Sequence, residues 1–334
     1  MKAFVVKRYG RKEKFHLTEM VKPDISDNEV LVQINATAIN MLDAMVRNGE
    51  FKVFLNYRTP FVAGHDMAGT VSKVGAGVSK FKVGDEVYAR PSDFKIGTFA
   101  EYIAVSESDL ALKPRNISME EAASVPLVGL TSWQALVEIA GLKKDQKVFI
   151  QAGSGGVGTF AIQLAKHIGA YVATTTSAEN ADWVKRLGAD LVIDYRKEDF
   201  AAILKDYDVV LHSNKDAGIL ESSMKILKKG GTIVSLSGPP TPAFARSIGL
   251  GLPLQFLMGL LSLSARRKAG KLQVNFKFLF MKANGEQLSR ITSLIEAGNI
   301  HPVIDRVFPF EQTNEAMSYV EAGRSKGKVV VKVK

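Results

Sequence analysis

Glycine residues at a fixed spacing are the first group in the sequence whose chemistry can be inferred. Gly153, Gly155 and Gly158 form the pattern Gly-x-Gly-x-x-Gly. Glycine allows a tight turn and lets backbone amides approach a pyrophosphate, whose negative charge is favoured at the N-terminus of a helix. A tight turn without a ligand is the alternative interpretation. We favour a dinucleotide site formed by the whole turn, which comprises Gly153, Ser154, Gly155, Gly156, Val157 and Gly158.

The residues on either side of this turn supply the elements that position it. Residues 148–150 (VFI) are an apolar run that is typical of a buried strand. After the turn, apolar residues recur at i, i+3, i+4, i+7, i+8 and i+11, which is one face of an amphipathic helix. They are Val157, Phe160, Ala161, Leu164, Ala165 and Ile168. A strand, a glycine turn and a helix in this order are the context that the pattern requires.

The wider chain contains two kinds of pattern. Residues 1–124 contain short alternating runs divided by glycines, which indicates a β-rich domain. Across residues 125–282, strand patterns alternate with helix patterns, which predicts an α/β fold with a doubly wound, parallel Rossmann sheet. Residues 283–334 end in a strand at 329–333 that we expect to join the N-terminal sheet. Residues 1–124 and 283–334 are therefore predicted to form one discontinuous domain, into which the Rossmann domain is inserted.

The composition limits the possible chemistry. The chain has 334 residues and no cysteine, which excludes disulfides, a thiolate nucleophile and any zinc or iron–sulfur site with cysteine ligands. The absence of cysteine also fits a reducing compartment. The first ten residues (MKAFVVKRYG) have the pattern of a strand rather than of a signal peptide, so we expect a cytoplasmic protein.

The formal net charge of +10 permits nucleic acid, anionic membranes or phosphate-bearing cofactors as partners. The basic residues are mostly scattered, however, and no basic stripe with interleaved aromatic residues occurs. We therefore expect the charge to serve solubility and expect no nucleic-acid partner.

Residues 239–282 form an unusual apolar segment. Residues 248–263 are almost wholly apolar, but this stretch is shorter than the roughly 20 residues that a membrane-spanning helix needs. A buried helix, a lid over an apolar pocket or a contact in a homodimer is the favoured interpretation. Contact of residues 248–271 with a membrane surface, anchored by Arg266, Arg267 and Lys268, is a less favoured alternative.

Seven stretches, in order along nearly the whole chain, resemble the medium-chain dehydrogenase/reductase superfamily. They are residues 64–69 (GHDMAG), 74–78 (VGAGV), 83–87 (VGDEV), 97–102 (GTFAEY), 129–133 (GLTSW), 152–158 (AGSGGVG) and 327–331 (GKVVV). Within the superfamily the chain is similar to the zinc-independent quinone oxidoreductase and enone reductase branch. The resemblance implies that the discontinuous domain is a GroES-like catalytic domain and that the protein is a homodimer.

The resemblance also bears on metal binding. Zinc-dependent members carry a cysteine near Asn40, the histidine that corresponds to His65, and a further cysteine or acidic ligand. This chain has Asn40 in place of the first cysteine. A hard metal held by His65, Asp43 and Asp66 is the alternative, but these residues have no clear ligand spacing. We therefore expect no metal.

The cofactor is predicted to be NADPH rather than NADH. NAD sites carry an acidic residue about 20 residues after the glycines, but residues 174–177 (TTTS) contain none. A carboxylate there would repel the 2′-phosphate of NADPH. Family members usually add a basic residue just beyond, where this chain has Glu179 and Asn180. By family position, the residues around the phosphate are Ser177, Asn180, Tyr195 and Arg324, with Arg196 as a further candidate.

The absence of zinc favours electron-poor acceptors. Zinc polarises a carbonyl and acidifies an alcohol, whereas a site without it relies on hydrogen-bond donors. We therefore expect hydride transfer from NADPH to a quinone or an α,β-unsaturated carbonyl. The resemblance implies that Asn40 lies near the nicotinamide and donates to a substrate oxygen, with Tyr57 and His65 as further catalytic candidates, and that Thr131 and Gly238 line the nicotinamide. It also implies an ion pair between Asp43 and Arg47, which are four residues apart.

Two alternative functions remain. The first is a nucleotide-binding protein of the same fold that binds RNA. The second is a membrane-peripheral reductase that reaches lipid quinones through residues 248–263.

Overall fold

The computed structural model describes residues 1–53 and 55–334. The strands, in chain order, are β1 (Lys2–Val6), β2 (His16–Glu19), β3 (Glu29–Ile39), β4 (Phe61–Val62), β5 (Asp66–Val74), β6 (Glu86–Ala89), β7 (Tyr102–Ser106), β8 (Leu110–Leu112), β9 (Lys147–Ile150), β10 (Tyr171–Thr176), β11 (Leu191–Asp194), β12 (Tyr207–His212), β13 (Leu227–Ser235), β14 (Asn275–Phe278), β15 (Ile304–Pro309) and β16 (Lys328–Lys332).

The helices, in chain order, are α1 (Met41–Asn48), α2 (Met119–Ala123), α3 (Pro126–Trp133), α4 (Gly156–Ile168), α5 (Ala181–Arg186), α6 (Phe200–Ile203), α7 (Ala217–Lys225), α8 (Pro242–Ser247), α9 (Leu252–Leu261), α10 (Leu263–Leu272), α11 (Gly285–Glu296) and α12 (Thr313–Glu321). A π-helical segment, Gln134–Ile139, follows α3 directly.

The chain divides into two compact units. Unit 1 comprises Met1–Leu130 and Lys282–Lys334, and unit 2 comprises Thr131–Met281. The sequence prediction placed the two boundaries after residues 124 and 282.

Unit 1 is built on two sheets. One has the strand order β2-β1-β4, and the other has the order β15-β16-β3-β5-β6-β8, with β7 also paired to β3. The C-terminal strand β16 runs antiparallel to β3, with Val331 opposite Thr37, as the sequence predicted. Apolar side chains of β3, β5, β6 and β7 alternate into one buried cluster, which includes Val32, Met67, Val87 and Ile103. The C-terminal strand is therefore an integral part of the N-terminal sheet.

Unit 2 is a six-stranded parallel sheet with the order β11-β10-β9-β12-β13-β14. Its strands alternate with helices along the chain, because parallel neighbours need crossover connections. The chain starts at the centre of the sheet, moves outward to β11, and then crosses back to β12. The order therefore reverses beside β9, and in open α/β sheets ligands bind at the carboxyl ends of the strands at such a point. The predicted α/β fold with a Rossmann sheet is confirmed.

Of the three interpretations of the apolar segment, the structure contradicts the buried helix, and the lid and the homodimer contact stay predictions. Residues 248–263 do not form one buried helix, because α9 ends at Leu261 and α10 follows after Ser262. Met258 is the buried residue of α9, whereas five large apolar side chains of this helix are between 46% and 78% exposed. They are Leu252, Phe256, Leu257, Leu260 and Leu261. Because nearly every residue of α9 is apolar, its sequence could not indicate which side faces water. Within the described residues, no helix is long and apolar enough to cross a bilayer.

Candidate functional site

The glycine turn of unit 2 connects β9 to α4 and is fixed to the end of β10. The Ala152 N–H donates to Thr175 Oγ1 at 3.2 Å, and the Gly153 N–H donates to the Thr175 carbonyl at 2.9 Å. Ala152 has a left-handed backbone with φ of 54°, which sharpens the bend. The turn therefore has a defined position at the carboxyl edge of the sheet.

The three motif glycines have two different roles. A Cβ atom on Gly153 would lie 2.3 Å from Thr174 Oγ1, and one on Gly158 would lie 2.3 Å from the Ala152 carbonyl oxygen. These two glycines are required by close packing within the protein. A Cβ on Gly155 would meet only the Ala152 oxygen, at 3.4 Å. Gly155 thus faces space that the protein itself does not fill, and a side chain there would occupy that space.

The N-terminus of α4 lies at this open space. Gly155 is the N-cap residue, and among the described residues no side chain caps the helix or adds an acidic group to its first turn. The first amides of a helix have no partner within it, and they carry the positive end of the helix dipole. The backbone amides of residues 156–158 therefore form a cradle for an anion, and a pyrophosphate fits its charge and its lack of side chains.

The ends of β10 and β11 lie together next to the turn. Thr176 is opposite Asp194 in the parallel register, so Ser177 and Tyr195 follow at adjacent positions. Thr176 is buried, and its hydroxyl has no hydrogen-bond partner among the described residues. Such an orphaned group at the edge of the sheet fits a site that a ligand completes. Asn180 donates to Ser177 Oγ at 3.2 Å, which brings these two predicted residues into contact.

Arg196 explains how a chain with Glu179 at this edge can still accept a phosphate. Its Nη1 donates to Glu179 Oε1 at 3.1 Å, and both side chains are exposed. The guanidinium also lies 5.8 Å from the ring centroid of Tyr195. Glu179 is therefore paired with a cation, and Arg196 is held beside Tyr195. Arg324, the other basic candidate, is exposed in unit 1 before β16.

Gly238 follows the end of β13 and is connected to a buried histidine. Its N–H donates to Ser235 Oγ at 2.8 Å, and Ser235 Oγ is 2.8 Å from His212 Nδ1. The serine hydroxyl therefore connects the Gly238 backbone to the ring of His212. Burial lowers the pKa of His212 to about 4, so the ring is neutral at pH 7. Nε2 has no partner in the described part of the chain. Thr131, also predicted to line the nicotinamide, is buried in α3.

In unit 1, the predicted catalytic histidine is one member of a buried polar cluster. His65 Nδ1 lies 2.5 Å from Asp43 Oδ1, and both residues are buried. A carboxylate can only accept, so the ring proton at this contact belongs to Nδ1. His65 Nε2 has no partner among the described residues and is the free position of the ring.

Asn40, Asp66 and Lys328 form the other half of this cluster. Lys328 Nζ donates to Asn40 Oδ1, to Asp66 Oδ2 at 3.1 Å and to the Ile39 carbonyl at 3.3 Å. The Leu127 N–H donates to Asp66 Oδ1 at 2.7 Å. The sequence analysis did not assign a role to Lys328, although it is the second residue of the 327–331 stretch. The sequence feature that could have indicated this role is a lysine directly before the apolar residues 329–331.

Two expectations for this cluster need correction. Asn40 was expected to donate to a substrate oxygen, but its amide nitrogen donates to Asp66 Oδ2 at 2.9 Å and to the Ala38 carbonyl at 3.3 Å. Both of its N–H groups are therefore committed, and Asn40 positions its neighbours instead. The expected ion pair of Asp43 with Arg47 is wrong. Asp43 accepts from the Asn40 N–H and contacts His65, and Arg47 pairs with Glu321 at 2.7 Å.

Tyr57, the third catalytic candidate, has a buried hydroxyl with no hydrogen-bond partner in the described residues. Its ring stacks on Phe61 with centroids 4.9 Å apart. Burial, and secondarily the charge of Asp93, raises the pKa of Tyr57 to about 12. The neighbouring Phe94 backbone partly offsets this rise in the pKa of the hydroxyl. The hydroxyl therefore keeps its proton at neutral pH and is an available donor.

A metal site was not expected. In the part of the chain that the structure describes, no group of three or more histidine and acidic side chains is arranged to hold a metal ion.

The parallel sheet with its open glycine turn defines the class: a dinucleotide-binding protein whose Rossmann domain interrupts a β-rich domain. Comparisons with known proteins agree. Residues 26–115 match the model described as "Alcohol dehydrogenase GroES-like domain", and residues 187–331 match "Zinc-binding dehydrogenase". The chain belongs to the medium-chain dehydrogenase/reductase superfamily, in its quinone and enone reductase branch.

Several relatives illustrate this membership. The chloroplastic NADPH-dependent alkenal/one oxidoreductase of Arabidopsis thaliana is 36% identical, over 99% of this chain and 79% of that protein. The 2-methylene-furan-3-one reductase of Solanum lycopersicum is 37% identical over the same shares. The solved quinone oxidoreductase of Coxiella burnetii superimposes with a TM-score of 0.87 at 29% identity, over 100% of this chain and 99% of the other. The Escherichia coli quinone oxidoreductase complexed with NADPH gives 0.81 at 26%, over 100% of both chains.

Proposed function

We propose that this protein is an NADPH-dependent reductase of quinones or α,β-unsaturated carbonyl compounds. The observation that carries the proposal is the open N-terminus of α4 at Gly155, which has no side-chain cap among the described residues and suits a pyrophosphate. Relatives that reduce alkenals, enones or quinones support the acceptor class by their names. The RNA-binding alternative is not favoured, because these relatives are oxidoreductases.

Named residues of unit 2 would hold the cofactor. The amides of residues 156–158 receive the pyrophosphate. Thr176, Ser177 and Tyr195 lie at the strand ends where the adenosine ribose belongs in this fold, and Arg196 supplies a cation for the 2′-phosphate. The bound nicotinamide supplies a hydride.

The acceptor gains negative charge on oxygen as it is reduced. Unit 1 has two groups that can stabilise this charge by hydrogen bonding or by proton transfer. The Tyr57 hydroxyl is protonated and has no partner in the described part of the chain, so it can donate to a developing oxyanion without giving up a bond there. His65 has Nδ1 fixed by Asp43, so Nε2 is the atom where a proton enters or leaves. Asn40, Asp66 and Lys328 form a hydrogen-bonded network next to the pair of His65 and Asp43, because the Asn40 N–H donates to Asp43.

We assign the activity to a metal-independent mechanism, because the chain lacks cysteine and the position of the first family zinc ligand is Asn40. Asn40 Oδ1 also accepts a hydrogen bond from the Lys328 ammonium group, whose positive charge would repel a metal ion. Dialysis against a chelator is expected to leave the rate unchanged. Retained metal at one equivalent per chain, with activity that is lost and restored with it, contradicts the assignment.

The test of the function is a steady-state assay with NADPH and with NADH, each against a simple 1,4-quinone and an enone. We expect oxidation of NADPH that requires an acceptor, a higher kcat/KM for NADPH than for NADH, and reduction of the enone at its carbon–carbon double bond. Binding of NADPH with no turnover of any acceptor would contradict the proposal. The homodimer and the cytoplasmic location remain predictions from sequence; sedimentation of the purified protein tests the first.

A further inference from the structure

Helix α9 exposes an entirely apolar face. Of its ten residues, Gln255 alone is polar, and the residues on the solvent side lie on one half of the helix. We call this surface the α9 face, and its members are Leu252, Pro253, Phe256, Leu257, Leu260 and Leu261. Isolated exposed apolar residues are common, but a contiguous patch of six along one helix marks an interaction site.

A basic cluster follows the α9 face directly. It comprises Arg266, Arg267, Lys268 and Lys271 of α10, all exposed. The two helices meet at Ser262, whose N–H donates to the Met258 carbonyl and whose carbonyl accepts from the Arg266 N–H. Arg266 is therefore in the first turn of α10, five residues beyond Leu261 in the chain.

The cations of the basic cluster are largely available to a partner. Arg266 Nη2 donates to the Gly259 carbonyl at 3.1 Å, which holds one guanidinium against the end of α9. Lys268 pairs with Glu221 at 2.5 Å. Arg267 and Lys271, four residues apart, have no carboxylate partner among the described residues. The surface therefore combines exposed apolar area with uncompensated positive charge.

We propose that the α9 face and the basic cluster together dock this protein on the surface of an anionic lipid bilayer. An interfacial helix buries its apolar side about 5–10 Å into the boundary of headgroups and acyl chains, while basic residues contact the headgroups. A helix of ten residues is about 15 Å long, which suits the interface and is too short to span.

A second copy of the chain fits this surface less well. The chain carries a net charge of +10, and a symmetric contact through α9 would bring two basic clusters together. A bilayer with acidic headgroups provides both an apolar interior for the α9 face and negative charge for the basic cluster. Docking itself does not depend on the proposed reductase function; only its consequence, access to lipid-soluble quinones, rests on that function.

The experiment is flotation of the intact protein with vesicles of phosphatidylcholine and with vesicles that also contain phosphatidylglycerol. We expect recovery with the anionic vesicles, little recovery with the neutral ones, and loss of binding as salt is raised. No flotation with anionic vesicles, or equal recovery with neutral vesicles, would overturn the proposal.

Two variants and their matched controls assign the binding to this surface. Phe256→Gln with Leu260→Gln should lower the vesicle partition coefficient about tenfold or more, since two apolar side chains lose their burial. Val83→Gln, at an exposed apolar residue of unit 1, is the control.

Arg267→Gln with Lys271→Gln should lower the coefficient roughly 30-fold, because each basic residue near an anionic surface is worth about 1 kcal/mol. Lys185→Gln with Arg186→Gln removes the same charge from α5, which packs next to β11 at the opposite edge of the sheet. Equal losses in variant and control would refute the assignment. So would a dimer in solution that Phe256→Gln dissociates, because the α9 face would then be covered by a second copy.

Discussion

Lys328 places an ammonium group in the interior of unit 1, where its positive charge is balanced by Asp66. Both side chains are buried, and Asn40 bridges them by accepting from the lysine and donating to the carboxylate. A buried ion pair is expensive to break, because removing one partner leaves the other charge without compensation. The residues around His65 therefore depend on a group that lies at the far end of the sequence.

We predict that Lys328→Met lowers the free energy of unfolding by about 3–5 kcal/mol, since Asp66 keeps only neutral donors in a buried site. Urea denaturation at pH 7 measures this loss. Combining Lys328→Met with Asp66→Asn should recover part of it, because the uncompensated charge is then gone. A loss near 1 kcal/mol or less, the range of a surface pair, would show that the site is solvated.

Tyr57 allows the catalytic and structural roles of a hydroxyl to be separated. Its hydroxyl has no hydrogen-bond partner among the described residues, so Tyr57→Phe removes a donor without breaking a hydrogen bond to them. We expect stability to stay within about 1 kcal/mol of the wild type, while kcat with an enone falls roughly 100-fold.

Tyr88→Phe is the matched control for this substitution. The Tyr88 hydroxyl donates to the Leu288 carbonyl at 2.8 Å and contacts Thr292, so its loss should cost about 1 kcal/mol of stability and leave kcat unchanged. If Tyr57→Phe keeps full kcat, Tyr57 is not the donor.

His212 should make the stability of unit 2 depend on pH. Its folded-state pKa is about 4, below the ordinary value of 6.5, so the unfolded chain binds a proton first as the pH falls. The contribution is complete above pH 6.5 and is lost as the pH falls toward 4, by at most about 3 kcal/mol. Unfolding free energies between pH 7.5 and 4.5 measure the slope. The slope should be shallower in His212→Asn; identical slopes in both proteins would contradict the prediction.

At the level of elements, the turn between β9 and α4 shows what a motif can and cannot specify. The sequence predicted the strand, the turn and the helix, because glycine spacing and apolar periodicity are local signals. It could not separate the glycines that pack against Ala152 and Thr174 from Gly155, which faces open space. For Gly153 that distinction depends on the position of β10, and for Gly158 it depends on the bend at Ala152.

The errors in the sequence prediction have physical causes of the same kind. The Asp43–Arg47 pair has the spacing of helix neighbours, but Asp43 lies at the start of α1, where it accepts from the Asn40 N–H and reaches His65. Arg47 finds Glu321, which is 274 residues away in sequence. A buried helix was one of three interpretations given to residues 248–263, because hydrophobicity without polar residues does not indicate which side of a helix is exposed. Long-range partners and the exposed side of an all-apolar helix cannot be read from local spacing.

For the whole molecule, the residues proposed to bind the cofactor lie in unit 2, and the candidate catalytic residues lie in unit 1. Unit 2 holds the anion cradle and the Arg196 guanidinium at the ends of β10 and β11, and unit 1 holds Tyr57 and the buried cluster around His65. The N- and C-terminal parts of unit 1 are joined by the pairing of β16 with β3 and by the contact of Lys328 with Asp66. The catalytic candidates are therefore stabilised by both parts of a discontinuous domain.

The central claim is that the phosphates of NADPH rest on the N-terminus of α4, and titration of NADPH into Gly155→Val tests it most directly. A Cβ at this position would have one protein atom within 4 Å, the Ala152 oxygen at 3.4 Å, so we expect the variant to fold. Gly251→Val, at the N-cap of α9, is the matched control and should bind NADPH as the wild type does. We predict that Gly155→Val weakens NADPH binding by about 100-fold or more, since the side chain fills the space of the pyrophosphate. An unchanged dissociation constant in a folded Gly155→Val protein would contradict the account.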